Sequence, residues 1–125
     1  MKSDLKKKPL FDLEERTAKF GEKVIDLCKN LEKNIIDKVL INQLVRSATS
    51  VGANYMEANS ASSGKDFRNK IYICKKEIQE TKHWLRMLAH SINNNDKTKI
   101  LWNEAEELTL IFGRIISTLD GKNSE

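Results

Sequence analysis

The chain is short of the residues that turn, staple or anchor a fold. One proline and five glycines among 125 residues, beside abundant Leu, Ile, Lys and Glu, favour helices over sheets, because straight-chain side chains lose little rotamer freedom in a helix. No apolar run approaches the roughly 20 residues needed to cross a bilayer, which excludes a spanning helix. Lys6, Lys7 and Lys8 lead into Pro9 and an acidic segment where a signal peptide would continue into an apolar one. A cytoplasmic protein with no membrane partner is expected. There are only two cysteines, Cys28 and Cys74. Both fall at or beside apolar helical positions with no metal-ligand spacing around them, so they read as reduced core thiols. A chain of this length buries a core without disulfides or a structural metal.

What the sequence does have is a repeating stripe. Apolar residues spaced alternately four and three apart keep one helix face towards a partner, and four segments show that spacing. The first carries Leu13, Thr17, Phe20, Val24, Leu27 and Leu31 behind Asp12, which with Glu15 makes an N-terminal capping pair. The second carries Ile41, Leu44, Ala48, Val51, Tyr55 and Ala58 and starts near Asp37. The third carries Phe67, Ile71, Cys74, Ile78, Thr81, Leu85, Leu88 and Ile92, opened by Ser63 as cap with Asp66 following. The fourth carries Leu101, Ala105, Leu108, Phe112, Ile115 and Leu119. Short connections at 30–37, 59–64 and 93–97 make consecutive helices antiparallel neighbours. The expected fold is all-α, an antiparallel up-down-up-down four-helix bundle over residues 10–120. A basic tail at 1–9 and a second tail at 121–125 have too little apolar content to be held firmly.

The positions beside the stripes bear on function. Between Lys38 and Lys65 the only charges are Arg46 and Glu57, whereas an exposed bundle helix normally has a charged outer face. Ser47, Ser50, Gly52, Ala53 and Asn54 are small or uncharged, and a mid-helix glycine costs about 1 kcal/mol relative to alanine, which close packing would offset. On the third helix one flank reads Lys70, Ile73, Glu77, Glu80, Trp84 and Met87, more apolar than a solvent-facing side requires. Self-association through the second helix together with Ile73, Trp84 and Met87 is the expectation, and a closed ring is the usual outcome of head-to-tail contacts. A polar small-residue surface that simply faces water is the competing reading. Glu57, Glu77 and Glu80, drawn into packed faces, need partners. Arg46, Arg68 and Asn54 are the candidates.

The other flank of the third helix is a basic stripe. That flank reads Arg68, Tyr72, Lys75, Gln79, Lys82 and Arg86, and from 65 to 86 the helix as a whole has seven cations, Lys65, Arg68, Lys70, Lys75, Lys76, Lys82 and Arg86, against Asp66, Glu77 and Glu80. With a net charge of +4 and a pI near 9.1, this helix is the best candidate for phosphate attraction to RNA or DNA, which is salt-dependent. Tyr72 lies within the stripe and can stack on a base. An ordinary solvated face fits the same residues. Catalysis finds little support: Glu80 and His83 match one copy of the Glu-x-x-His pattern of bundle di-iron proteins, which use two. The only other histidine, His90, lies seven residues from His83 on the same side of the helix. No phosphate loop or nucleophile arrangement is visible. No cofactor, no metal and no enzymatic activity are expected.

Two stretches, QLVRSATSVGANYMEA at 43–58 and KDFRNKIYICKKEIQETKHWLRML at 65–88, resemble the bacterial four-helix-bundle proteins encoded within intervening sequences of 23S ribosomal RNA genes. Those proteins are relatives of the accessory protein of diversity-generating retroelements. The resemblance covers nearly all of residues 10–120, and SVGANY linked to ETKHWL is its most specific part. It implies a small bundle assembling as a homopentameric ring, without assigned catalysis. The retroelement relatives are associated with nucleic acid and a reverse transcriptase, so the resemblance adds RNA or DNA and a nucleic-acid enzyme to the expected partners. Gly52 stands where many members have proline, and Gly64 replaces a commonly basic residue before Lys65, which weakens any phosphate-binding role for that loop.

Overall fold

The computed structural model describes residues 9–93 and 96–121. These form four helices: α1, Pro9–Lys29; α2, Ile35–Asn59; α3, Gly64–Ile92; and α4, Asp96–Leu119. Each packs against its neighbours in sequence, and α4 returns to α1, so the bundle is up-down-up-down as the stripe pattern predicts. The closure between α1 and α4 is the loosest of the four contacts. The segments 1–8 and 122–125, assigned above to tails, lie outside the described residues, as do residues 94 and 95. Pro9, placed above in the tail, opens α1 instead, the position where its missing N–H costs nothing.

Helix boundaries follow local chemistry, with one correction. Asp12 lies within the first turn of α1 and not at its cap. At α2 the cap is Asn34: its side chain accepts from the Asp37 backbone N–H at 2.8 Å, while the Asp37 carboxylate accepts from the Asn34 N–H. Asp37 is therefore the returning arm of a capping box three residues into the start. It is buried and also accepts a hydrogen bond from Ser91 Oγ on α3, which ties the beginning of α2 to the end of α3. Ser63 caps α3 as expected, accepting from the Asp66 N–H at 3.0 Å. Asn93 ends α3 in the left-handed conformation, φ 61°, a geometry asparagine tolerates better than most residues.

Nearly every stripe residue is inside. Thr17, Phe20, Val24, Leu44, Val51, Tyr55, Ile71, Cys74, Ile78, Leu85, Leu108 and Phe112 are essentially inaccessible. Tyr55 and Phe112 meet in the centre with ring centroids 6.2 Å apart. The end of α4 departs from the pattern: Ile116 is buried and Leu119 is 42% exposed. A straight helix turns about 20° per heptad away from a strict seven-residue repeat, and over α4 that drift moves the inward position on by one residue.

The small residues of α2 serve the α1–α2 crossing. A Cβ on Gly21 would meet Thr49 Cα at 3.6 Å and the Ala48 carbonyl at 3.7 Å, and one on Gly52 would meet the Thr17 carbonyl at 3.4 Å. The two glycines lie on facing helices and bring their backbones close together. Gly21 has ordinary contact room, so Gly21→Ala is expected to raise stability by about 0.5–1 kcal/mol through helix propensity. The urea midpoint should rise at unchanged slope; a fall would mean that the crossing is tighter than these distances.

Candidate nucleic-acid interface

The two flanks of α3 face two different helices, and this decides the fate of most residues picked from the sequence. The flank of Lys70, Glu77, Glu80 and Trp84 lies against α2. Arg46 donates to Glu80 at 2.6 Å and to Glu77 at 3.3 Å, as anticipated for those two acids. Trp84 Nε1 donates to the same Glu80 oxygen at 3.1 Å, and its indole packs on the core. Ser47 is completely buried and accepts from Thr81 Oγ1 at 2.8 Å. Cys74 Sγ approaches the Val51 carbonyl at 3.6 Å.

Several expectations need correction at this joint. Ser47 is completely buried and packs against α3, whereas Gly52 is half-buried and its backbone packs on α1. Asn54 pairs with no acid among the described residues; its side-chain amide donates to Ser50 in the same helix. Glu57 is exposed and pairs with Lys70 at 2.8 Å. Of the small residues proposed for an interface only Ala53 is well exposed, while Ser50, Ile73 and Met87 are half-buried. The outward stripe of α2 instead runs Ile35, Val39, Asn42, Arg46, Thr49, Ala53 and Met56, all exposed with a single charge. That stripe, partly at small residues and partly at aliphatic ones, is the uncharged face the sequence pointed to.

The basic flank of α3 lies against α4, and part of it is neutralised there. Arg68 Nε donates to Asp120 at 2.6 Å and the guanidinium sits 4.9 Å over the Tyr72 ring, whose hydroxyl reaches the same carboxylate at 3.2 Å. Lys82 pairs with Glu106 at 2.5 Å and lies 5.1 Å from the Trp102 ring centroid. Arg68 therefore serves Asp120 and not one of the three glutamates, and Arg68, Tyr72 and Lys82 are positioned by α4 before any ligand arrives. Lys65, Lys75, Lys76 and Arg86 have no ion-pair partner among the described residues. Trp102, at the solvent edge of the same seam and 36% exposed, was not among the residues picked from sequence. Its signal was available only as an aromatic just off the α4 stripe.

Remaining charges behave as their surroundings require. Burial pushes the Cys28 thiol up to about 11 and the Cys74 thiol to about 12, so both stay protonated and poorly nucleophilic. The Trp84 hydrogen bond, followed by Arg46, holds the Glu80 carboxyl below its ordinary value. A depressed folded-state value means stabilisation present above the unfolded value, near 4.5, and lost as pH falls through the folded one. Stability should therefore decline below about pH 4.5 with a Trp84 fluorescence change, and Glu80→Gln should remove that fluorescence step; its persistence in the variant would assign it elsewhere. His83 is exposed and lies edge-on to Trp84, ring centroids 5.1 Å apart.

The family model of the 23S rRNA-intervening sequence protein matches residues 11–114. The chain belongs to that family. A solved structure similar to it is a protein of unknown function from the S23 ribosomal protein family of Bacteroides thetaiotaomicron, 29% identical, with a TM-score of 0.73 over 82% of this chain and 96% of the other. No curated protein matches. In this member of the family the two stretches that carry the resemblance, VRSATSVGANY and ETKHWL, touch at Arg46–Glu80 and Ser47–Thr81. They form the α2–α3 joint that fixes the two flanks of α3. No helix among the described residues is long and apolar enough to cross a membrane.

Proposed function

We propose that the protein is a cytoplasmic, non-enzymatic homo-oligomer that binds RNA or DNA through the outer surface of α3, as an accessory to a nucleic-acid-processing enzyme such as a reverse transcriptase. The observation that carries this reading is the division of α3's cations. Arg68 and Lys82 are held by Asp120 and Glu106, whereas Lys65, Lys75, Lys76 and Arg86 have no ion-pair partner among the described residues. Unpaired cations grouped on one surface attract polyphosphate and release its counterions. For self-association the support is α2's exposed stripe, aliphatic at Ile35, Val39 and Met56, and the family resemblance implies a five-membered ring.

The test is a salt titration of RNA affinity on protein of known mass. Four phosphate contacts predict a log-log slope of about −3, and the ring predicts a mass five times 14.4 kDa. Affinity independent of salt would refute the electrostatic surface, and a monomeric mass at micromolar concentration would refute the assembly. A protein-interaction scaffold without nucleic acid is the second reading, favoured by the adjacent exposed side chains Ile35, Ile36 and Val39. It is indicated if the purified protein ignores RNA at low salt.

A further inference from the structure

Two exposed rings stand at the α3–α4 seam, and each has a cation already seated against it. Tyr72 lies under Arg68, and Trp102 lies beside Lys82. The pairs Arg68–Asp120 and Lys82–Glu106 share one antiparallel register. Carried along the seam, that register sets Lys75 opposite Gly113 and Arg86 opposite Trp102. Gly113 has open space where a Cβ would stand, so the seam is bare there, about one helical turn along from Tyr72. From Tyr72 to Arg86 the distance along α3 is about 20 Å.

Resting on the nucleic-acid reading above, we infer that this seam takes single-stranded nucleic acid in preference to duplex. Bases stack on Trp102 and Tyr72, while Lys75 and Arg86 meet the phosphates between and beside them. Flat rings with flanking cations suit unpaired bases, whose faces are accessible, and stacking is tolerant of sequence because every base has a π-face. In a duplex the base faces are covered by their neighbours, and only the phosphates remain for the protein. The ion pairs of Arg68 and Lys82 fix the rings beforehand, so binding does not have to order them.

The test uses the full chain with Trp84→Phe, which leaves Trp102 as the only tryptophan. Titration with an oligouridylate of about 12 nucleotides is expected to quench its fluorescence and to saturate. The same strand in a duplex should bind about tenfold more weakly. Read by filter binding, Trp102→Ala should weaken single-strand binding about tenfold and leave duplex binding unchanged, while Trp102→Phe, which keeps a ring, restores most of it; circular dichroism confirms that both variants fold. Equal affinity for single strand and duplex, or single-strand affinity indifferent to Trp102→Ala, overturns the seam as the binding track and leaves the wider basic surface standing. Failure of both ligands to bind at low salt overturns the nucleic-acid reading itself.

Discussion

Reversing Lys75, Lys76 and Arg86 to Glu together is expected to weaken RNA binding on the order of 100-fold or more and to flatten its salt slope by about 2, with the fold intact. The three residues have no ion-pair partner among the described residues, so their reversal breaks no ion pair between helices. Surface charge changes away from such contacts normally shift stability by under about 0.5 kcal/mol. The choice of residues matters. Reversing Lys82 would set two carboxylates together at Glu106, and reversing Arg68 would do the same at Asp120, whose side chain is only 14% exposed. Loss of binding in those variants would confound unfolding with loss of the surface. Filter binding across a salt series, with a thermal melt of each variant, separates the two. Retained affinity in a folded triple variant would place the interaction elsewhere.

Phe112→Ala is expected to lower the unfolding free energy by about 3–5 kcal/mol, the cost of a lost ring and the cavity left behind. Phe112 is wholly buried against Tyr55 at the centre of the bundle. It also anchors the helix with the weakest closure, since α4 is held well by α3 and only loosely by α1. The polar ties across the α1–α4 gap, Arg16 to Glu104 and Glu107, are partly exposed and add little by comparison. Because such domains are stable by only about 5–15 kcal/mol, the variant should melt on the order of 10 °C or more below the parent. Urea denaturation would measure it, and a loss under about 1 kcal/mol would mean that α4 can shift to fill the space.

The stripes were legible because burial demands apolar side chains at helical spacing, and four such stripes with short connections leave few other arrangements. The assignments beside them were less secure. Ser47 and Gly52 read as an assembly surface because small, uncharged residues suit any close contact, whether with a second copy or with α1 and α3. Arg68 and Lys82 read as ligand-facing because their acidic partners, Asp120 and Glu106, lie 52 and 24 residues further along the chain. Trp102 is a single ring at the edge of its helix, and one sequence gives no sign of which neighbour that edge will meet.

By itself the sequence determined the helix count, the antiparallel order, the residues of the core and the family. Those properties depend on periodicity and local capping, which are written in residues close along the chain. Only the tertiary structure decided which cations of α3 are held by acids of a neighbouring segment, and which small residues of α2 face inward. Those outcomes turn on the rotation of each helix about its axis and on the register of its neighbour, which side chains distant in sequence set together.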